Sequence, residues 1–456
     1  MSALTQDELN KFATDYPEVK WIDAAFIDFQ GQPRGKRLPR SEWDKLVKGE
    51  VRITGSNLIS LPIGDIPEVD GYGWYDGDPD SFCFGVHKTL APQPWDETGR
   101  TAQVMLTMHH ADGAPHENSP AAMLQKVEDS LFNDLGLRAD IAVELEFYLV
   151  DKRNDRKGQP LRAINPGTGQ RETDPQVYNI GTYDGFDPIL REIERCCLAQ
   201  GLDVEGSVCE FGGGQFEVNL RHSLGATRVV HETMALIRTV KRVASRKGFR
   251  ATFMSKPFDG DAGNGMHVHA SLIDKSDKNI FAGKDLNASL KHAIGGLLET
   301  FYEGMLLFAP SPHSWRRLEP HMFVPMGKFW AVENRSVLAR IPQLTDNNKR
   351  IEHRIAGADA NPYFVVAAVL AGMHHGLKNC LDPGSEAQGN ASLDWQDGMP
   401  RNFLDAMERH QESKILREMI GKEIWDRYYL VKREELNWYL KERTPVETRW
   451  YLNPIG

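Results

Sequence analysis

The run Ile141-Ala142-Val143-Glu144-Leu145-Glu146-Phe147-Tyr148-Leu149 constrains this chain more than any other. A period of two sets Val143, Leu145, Phe147 and Leu149 on one face of a strand. Glu144 and Glu146, with Ala142 and Tyr148, take the other. The run is too apolar to lie on a surface, which predicts carboxylates lining a cavity. An amphipathic strand with one wet face is the alternative that this run alone leaves open.

Other runs repeat the pattern. Glu210 and Glu217 flank the glycine-rich turn Phe211-Gly212-Gly213-Gly214-Gln215. His267 and His269 share one face of Met266–Ala270, with Met266, Val268 and Ala270 opposite. Glu352 and Arg354 share a face of Arg350–Ile355. No pair is specific by itself. If the strands line one cavity, carboxylates about 6 Å apart repel by roughly 3 kcal/mol per pair at an effective dielectric near 20. Cations must then neutralise them. An oxygen-rich donor set with one or two imidazoles and no thiolate selects Mg²⁺ or Mn²⁺ over Zn²⁺, two or more per site. Such centres bind polyphosphates.

A cationic group follows: Arg316, Arg317, Arg335, Arg340, Arg350 and Arg354. Arginine grips carboxylate or phosphate with two parallel hydrogen bonds, although structural ion pairing is an alternative use. Metals, arginines and a substrate carboxylate together point to nucleotide-dependent ligation or phosphoryl transfer. Neither a P-loop pattern (Gly-x-x-x-x-Gly-Lys-Ser/Thr) nor a dinucleotide fingerprint is present.

Composition narrows the partners. Lys plus Arg is 54 against 64 Asp plus Glu, a formal charge of -10 that excludes a global basic field for nucleic acid or an anionic membrane. The most apolar stretch, Tyr363–Met373, is about half a bilayer span, and Met1–Lys20 lacks a leader pattern. Five cysteines without metal spacing read as thiols in a reducing cytosol. A cytoplasmic protein without a membrane segment is expected.

The 456 residues allow two or three domains. Trp21–Phe29, the turn Gly31-Gln32-Pro33 and Arg34–Leu38 predict a hairpin in a small β-rich N-terminal part, and Leu61–Trp95 an aromatic functional loop. Ser119-Pro120, Asp187-Pro188 and Asn361-Pro362 read as helix starts, with ends at Gly136, Gly201 and about Lys378. Apolar spacing adds helices over Thr227–Lys247, Leu286–Phe308 and Arg401–Ile420, and a charged one over Lys432–Lys441. Strands in one half with helices interleaved predict an α+β fold.

The sequence resembles the glutamine synthetase family, type I branch, over nearly the whole chain. The resemblance rests on Glu144-Leu145-Glu146, Glu210 with Gly214-Gln215-Phe216-Glu217, Gly265-Met266-His267-Val268-His269, Asn334-Arg335-Ser336 with Arg340-Ile341-Pro342, and Arg350–Arg354 running into Ala360-Asn361-Pro362-Tyr363. It implies a β-grasp-like N-terminal domain, 1–112, and a catalytic domain, 113–456, whose antiparallel sheet forms a funnel for ATP and glutamate. It also implies a ring, hexamer or stacked dodecamer, with active sites shared between subunits. By motif, Glu146, Glu210 and Glu217 would hold one metal and Glu144, His267 and Glu352 the other. His269 and Arg340 would contact the transferring phosphoryl group and Arg350 the nucleotide. Gly265, Arg317, Arg335 and Arg354 would position glutamate or its phosphorylated form.

Two departures bear on the nitrogen substrate. The family's flap glutamate falls at Phe323, and its N-terminal Asp-Gly-Ser-Ser ammonium segment is missing near Gly64-Asp65-Ile66-Pro67. An ammonium ion would find little to offset its desolvation. An alkyl or aryl amine could bury its carbon body against Phe323, with Trp330, Trp74 and Tyr75 as further candidates, and Glu319, Asp65, Glu68 or Asp70 to meet a distal ammonium. The resemblance therefore implies a γ-glutamyl-amine ligase, similar to the γ-glutamylpolyamine synthetases of amine catabolism. Alternatives are an ammonia-assimilating glutamine synthetase, a non-catalytic member, or a metal-dependent hydrolase. Cys380–Asp397 contains no tyrosine, so it does not match the family's adenylylation loop.

Overall fold

The computed structural model describes residues 2–73, 75–342 and 346–447. Trp74 and the expected domain bounds 1 and 456 lie outside the described residues. The chain folds as α+β around two sheets.

The first sheet holds β1 (Trp21–Ile27), β2 (Pro33–Pro39), β3 (Val51–Thr54), β4 (Asp80–Gly85), β5 (Ala91–Pro92) and β6 (Thr101–His109), in the order β2-β1-β6-β4-β3 with β5 on β6. The expected hairpin is β1–β2, antiparallel from Trp21↔Pro39 to Ile27↔Pro33. Its turn closes on Asp28, whose carboxylate accepts from the backbone N of Gln30 (2.9 Å) and Gln32 (2.8 Å) and from Arg34 Nε (2.6 Å). β1 and β6 run parallel. Ile22, Ala24, Phe26, Val104 and Met108 share one core with Leu9 and Phe12 of the helix Gln6–Asp15.

The second sheet is built on a long central strand, β7 (Arg138–Asn154). The others are β8 (Pro160–Arg162), β9 (Val204–Cys209), β10 (Gln215–Leu220), β11 (Ser223–Leu224), β12 (Phe249–Thr252), β13 (Met266–Ile273), β14 (Trp330–Val332), β15 (Ala339–Ile341) and β16 (Ile351–His353). The order is β14-β15-β16-β13-β7-β10-β9, with β8, β11 and β12 also on β7. Every pair is antiparallel except β14–β15. Val143, Leu145, Phe147, Val218, Met266 and Val268 bury one face in a core shared with the helices Pro120–Leu135, Ala226–Arg246 and Pro362–Lys378. That core also takes Ile27, Phe29, Ile59 and Leu61 from the N-terminal part.

Asn361 joins the two parts. Its Oδ1 accepts from Tyr363 N (3.0 Å), capping the helix as expected. Its Nδ2 donates to the carbonyls of Asp28 (2.9 Å) and Phe29 (3.3 Å) in the hairpin turn.

Four helices differ from the sequence reading. Leu286–Phe308 divides into Ala288–Thr300 and Met305–Phe308, with a turn at 301–304 between them. Asp187-Pro188 starts no helix: the helix is Ile180–Leu198, capped by Asn179, which accepts from Thr182 N (3.0 Å). Asp187 pairs with Arg191 one turn on (2.6 Å), and Pro188 sits in the interior at the cost of one backbone donor. Arg401–Ile420 divides into Phe403–Glu412 and Ile415–Ile420, because Glu303 accepts from Ser413 Oγ (2.7 Å) and Leu416 N (2.9 Å) and caps a new start. The charged C-terminal helix begins ten residues early, at Lys422. Among the described residues, no helix is long and apolar enough to cross a membrane.

Candidate active site

Strand register collects the polar residues. Residues directly opposite in a ladder share a face, and the pairs are Glu146↔Glu217, Glu144↔His267, His269↔Glu352 and Arg340↔Glu352. One face of the second sheet thus carries Arg340, Glu352, His269, His267, Glu144, Glu146 and Glu217 in sequence across five strands, while the other face is the apolar core. The wet-strand alternative for β7 fails here: its Glu144 and Glu146 are half-buried and face Glu217, His267, His269 and Glu352 of neighbouring strands, all buried.

Glu210 joins at the turn between β9 and β10. Its backbone N donates to Gln215 O (2.9 Å), and Gln215 N donates to Gly212 O (2.9 Å). A side chain at Gly212 would collide with Tyr148 Oη, so only glycine lets the turn close over β7. Carboxylate oxygens of Glu146, Glu210 and Glu217 lie within 4.8 Å of one another. Glu144 meets Glu217 and His267 within the same span, and His269 and Glu352 in another grouping.

His267 donates from Nδ1 to Glu144 Oε2 (3.1 Å) and lies 3.9 Å from Glu352 Oε1. Arg350 donates from Nε to His269 Nδ1 (3.0 Å), which places the proton of a neutral ring on Nε2. That nitrogen stands 2.7 Å from Glu144 Oε1, off the hydrogen-bond axis. Arg340 donates to Glu352 Oε2 (2.8 Å), and Arg354 pairs with the same carboxylate.

The site divides electrostatically. Burial opposes ionisation of Glu352, but Arg354 and the two imidazoles outweigh it and hold the carboxyl at about 2. Burial likewise opposes Glu144, and His269 and His267 hold it well below the usual range. At the other end burial, then Glu146 and Glu144, push Glu210 up to about 7, with Arg335 counteracting. Burial and then Glu144, Glu210 and Glu146 push Glu217 well above the usual carboxylate range. Carboxylates that repel in a buried, oxygen-rich pocket fit hard divalent cations.

The arginines form the adjoining wall. Arg317 is buried and donates to Ile355 O (2.8 Å), and burial lowers its pKa to about 10, still charged at neutral pH. Arg354 donates from Nε to Arg335 O (3.0 Å). Gly265 lies between His267 and Arg317: a Cβ there would stand 2.7 Å from His267 Nε2 and 2.9 Å from Arg317 Nη2. Its backbone N donates to Glu146 Oε2 (2.6 Å). Phe323, 57% exposed, lines a cavity of about 560 Å³ together with Arg335 and Arg340.

Several expected partners are elsewhere. Trp330 is buried and donates to Gly384 O (3.2 Å), away from that cavity. Glu319 pairs with Lys256 (2.7 Å), and Asp70 lies 3.6 Å from Arg427. Tyr75, Asp65 and Glu68 do not line the cavity at Phe323. Gln215, which belongs to a motif but takes no role from the sequence, reaches Glu146 Oε2 (3.4 Å), Gly263 O (3.0 Å) and Asn264 Oδ1 (3.0 Å) from Nε2, so it braces the loop that leads into Gly265. Glu333 and Glu386, in the cavity wall, carry no motif that could have marked them.

Residues 117–451 match the family model described as glutamine synthetase, catalytic domain. The gamma-glutamylputrescine synthetase of Escherichia coli (strain K12) is 36% identical over 455 residues, covering 99% of this chain and 95% of that protein. The glutamine synthetase of Pyrococcus abyssi (strain GE5 / Orsay) is 30% identical over 446 residues, 95% of this chain and 93% of that one. The solved structure described as apo GmaS without ligand superposes with a TM-score of 0.83 at 24% identity, over 98% of this chain and 99% of that one, a likeness of fold.

Proposed function

The chain belongs to the glutamine synthetase family, and on that premise we propose that it is an ATP-dependent ligase joining the γ-carboxylate of glutamate to an amine. The relative that acts on putrescine matches at 36% over nearly full length. The observation that carries the reading is the juxtaposition of a carboxylate-and-imidazole sheet face, an arginine wall and a cavity fronted by Phe323, a hydrocarbon ring where ammonium would need an anion.

Glu146, Glu210 and Glu217 would hold one Mg²⁺ or Mn²⁺ ion and Glu144, His267 and Glu352 another. Bound there, the ions neutralise polyphosphate charge and the facing carboxylates. Arg340 and His269 face the phosphoryl group in transfer, and Arg350 holds both the nucleotide and the His269 ring. Arg317, Arg335, Arg354 and the Gly265 backbone orient glutamate. A γ-carboxylate oxygen attacks the terminal phosphorus of ATP and ADP leaves. The amine nitrogen then attacks the acyl carbon, phosphate departs with the C–O electron pair, and the nitrogen loses a proton. Fixed guanidinium groups stabilise charge in both steps without reorganising.

Residues 1–112 and 113–456 serve as N-terminal and catalytic domains; the gap between β6, ending at His109, and the helix starting at Pro120 supports that division. Subunits form a ring, hexameric or stacked, with shared sites. Tyr178, Ile180 and Phe211, exposed and apolar beside Glu210, support a protein neighbour there. Four buried cysteines and the exposed Cys380, all free, suit a cytoplasmic setting.

The test is phosphate release with ATP, Mg²⁺ and glutamate across ammonium, methylamine, larger monoamines, putrescine and aromatic amines. A highest kcat/KM with ammonium would return the chain to glutamine synthesis. No turnover with any nitrogen donor would favour a non-catalytic member.

A further inference from the structure

We propose that the ion pair between Lys256 and Glu319 is a latch that sets where Phe323 stands over the cavity, and that both are positioning residues for the amine. The inference rests on the amine-ligase reading and names what holds its selectivity ring in place.

Phe323 sits at the end of a short arch. Leu318 and Val324 are buried, while Glu319, His321 and Phe323 between them are exposed. Phe323 lines the cavity that Arg335 and Arg340 also line. Among the described residues, one backbone hydrogen bond ties the arch to a distant part of the chain, from His321 N to Ser392 O (2.7 Å). One side-chain bond does so as well: Lys256 Nζ donates to Glu319 Oε2 (2.7 Å).

The lysine end of that bond is the firm one. The Lys256 side chain is 2% exposed, and among the described residues no other carboxylate lies within ion-pair distance of it. An ammonium out of reach of water holds its one partner far more strongly than a surface lysine does, because losing that partner leaves a buried charge uncompensated. Lys256 is itself anchored. It lies four residues past β12, which pairs with β7, and its backbone N donates to His313 Nε2 (3.3 Å). Asn264 N donates to Ser255 O (2.8 Å), so the same segment is tied beside Gly265. The latch therefore runs from the central strand of the catalytic sheet to the arch. Pro320, next to Glu319, removes one backbone rotation between the latch and the ring. The sequence offered Glu319 as a partner for the amine. With its charge held by Lys256 and its side chain outside the cavity lining, it acts on the amine through Phe323 and not by contact.

The experiment measures steady-state kinetics with ATP, glutamate and either putrescine or n-butylamine, whichever the wild type uses better. Glu319→Gln keeps the side-chain length and drops the charge. The amine KM should rise about tenfold, while kcat and the KM values of ATP and glutamate stay within about twofold. Glu319→Asp should recover part of the loss. Lys256→Met removes the buried charge altogether; it should raise the amine KM by a similar factor, and it keeps the test open where Glu319→Gln folds poorly. In a Phe323→Ala background, Glu319→Gln should change the amine KM no further, because the pair acts through the ring. An unchanged amine KM in both single variants overturns the latch and leaves the ligase reading intact. So does a rise that persists in the Phe323→Ala background, or an equal rise in the KM of glutamate. Wild-type preference for ammonium over both amines overturns the two together.

Discussion

Glu146 stands directly opposite Glu217 in the β7–β10 ladder, two carboxylates at a position where cross-strand neighbours normally attract. With Glu210 alongside, the pair forms a trio whose mutual repulsion is built into the backbone. Glu217→Gln should therefore raise the thermal stability of the metal-free protein. The same variant should lose about a hundredfold or more in Mg²⁺ affinity, with ligase activity falling alongside. Differential scanning fluorimetry with and without Mg²⁺ reads both. A metal-free protein destabilised by Glu217→Gln would contradict the repulsive origin.

Gly265→Ala tests close approach. The new Cβ would press on His267 Nε2 and Arg317 Nη2, and Arg317 is pinned by Ile355 O. The fold should persist, since the clash is with side chains, but kcat/KM for glutamate should drop about tenfold or more as positioning fails. A variant of wild-type activity would remove Gly265 from the site.

Phe323→Glu restores an anion at the mouth of the cavity. Ammonium use should rise relative to n-butylamine, by about tenfold for one charge-assisted contact. Parallel kinetics with both donors decide it: an unchanged ratio means that this position does not set nitrogen selectivity.

Acid should unfold the protein through buried histidines. Burial lowers His231 and His410 to about 4, below the 6.5 expected when unfolded. The unfolded chain then takes up protons that the folded one refuses, so stability is full above pH 6.5 and declines toward pH 4. Each histidine costs about 2 kcal/mol at pH 5. Chemical denaturation at pH 7 and pH 5 measures it, and His410→Gln should flatten the decline. A profile equally steep in that variant would assign the loss to other groups.

Much of the catalytic face was legible because strands encode faces by alternation. Glu144, Glu146, His267, His269 and Glu352 could be assigned to one side from period two alone, and the register then set them opposite one another. Family motifs supplied roles that alternation does not. Glu386 was invisible: it lies outside any motif, and its place depends on a long-range bond to Val332 N. Pro188 misled because proline after aspartate is the ordinary mark of a helix start, whereas Asn179 had already capped this helix two turns earlier. The division at Ser413 came from Glu303, more than a hundred residues upstream.

Asn361 spends both ends of one short amide, one on opening the helix that backs the catalytic sheet and the other on two carbonyls of the hairpin turn. Four residues before it, Gly357 bridges to Gly265 beside Arg317. A jolt to the hairpin thus travels four residues of backbone before it reaches Gly265 and Arg317. Substitutions at the hairpin tip will register first in turnover, and only later in the melting curve.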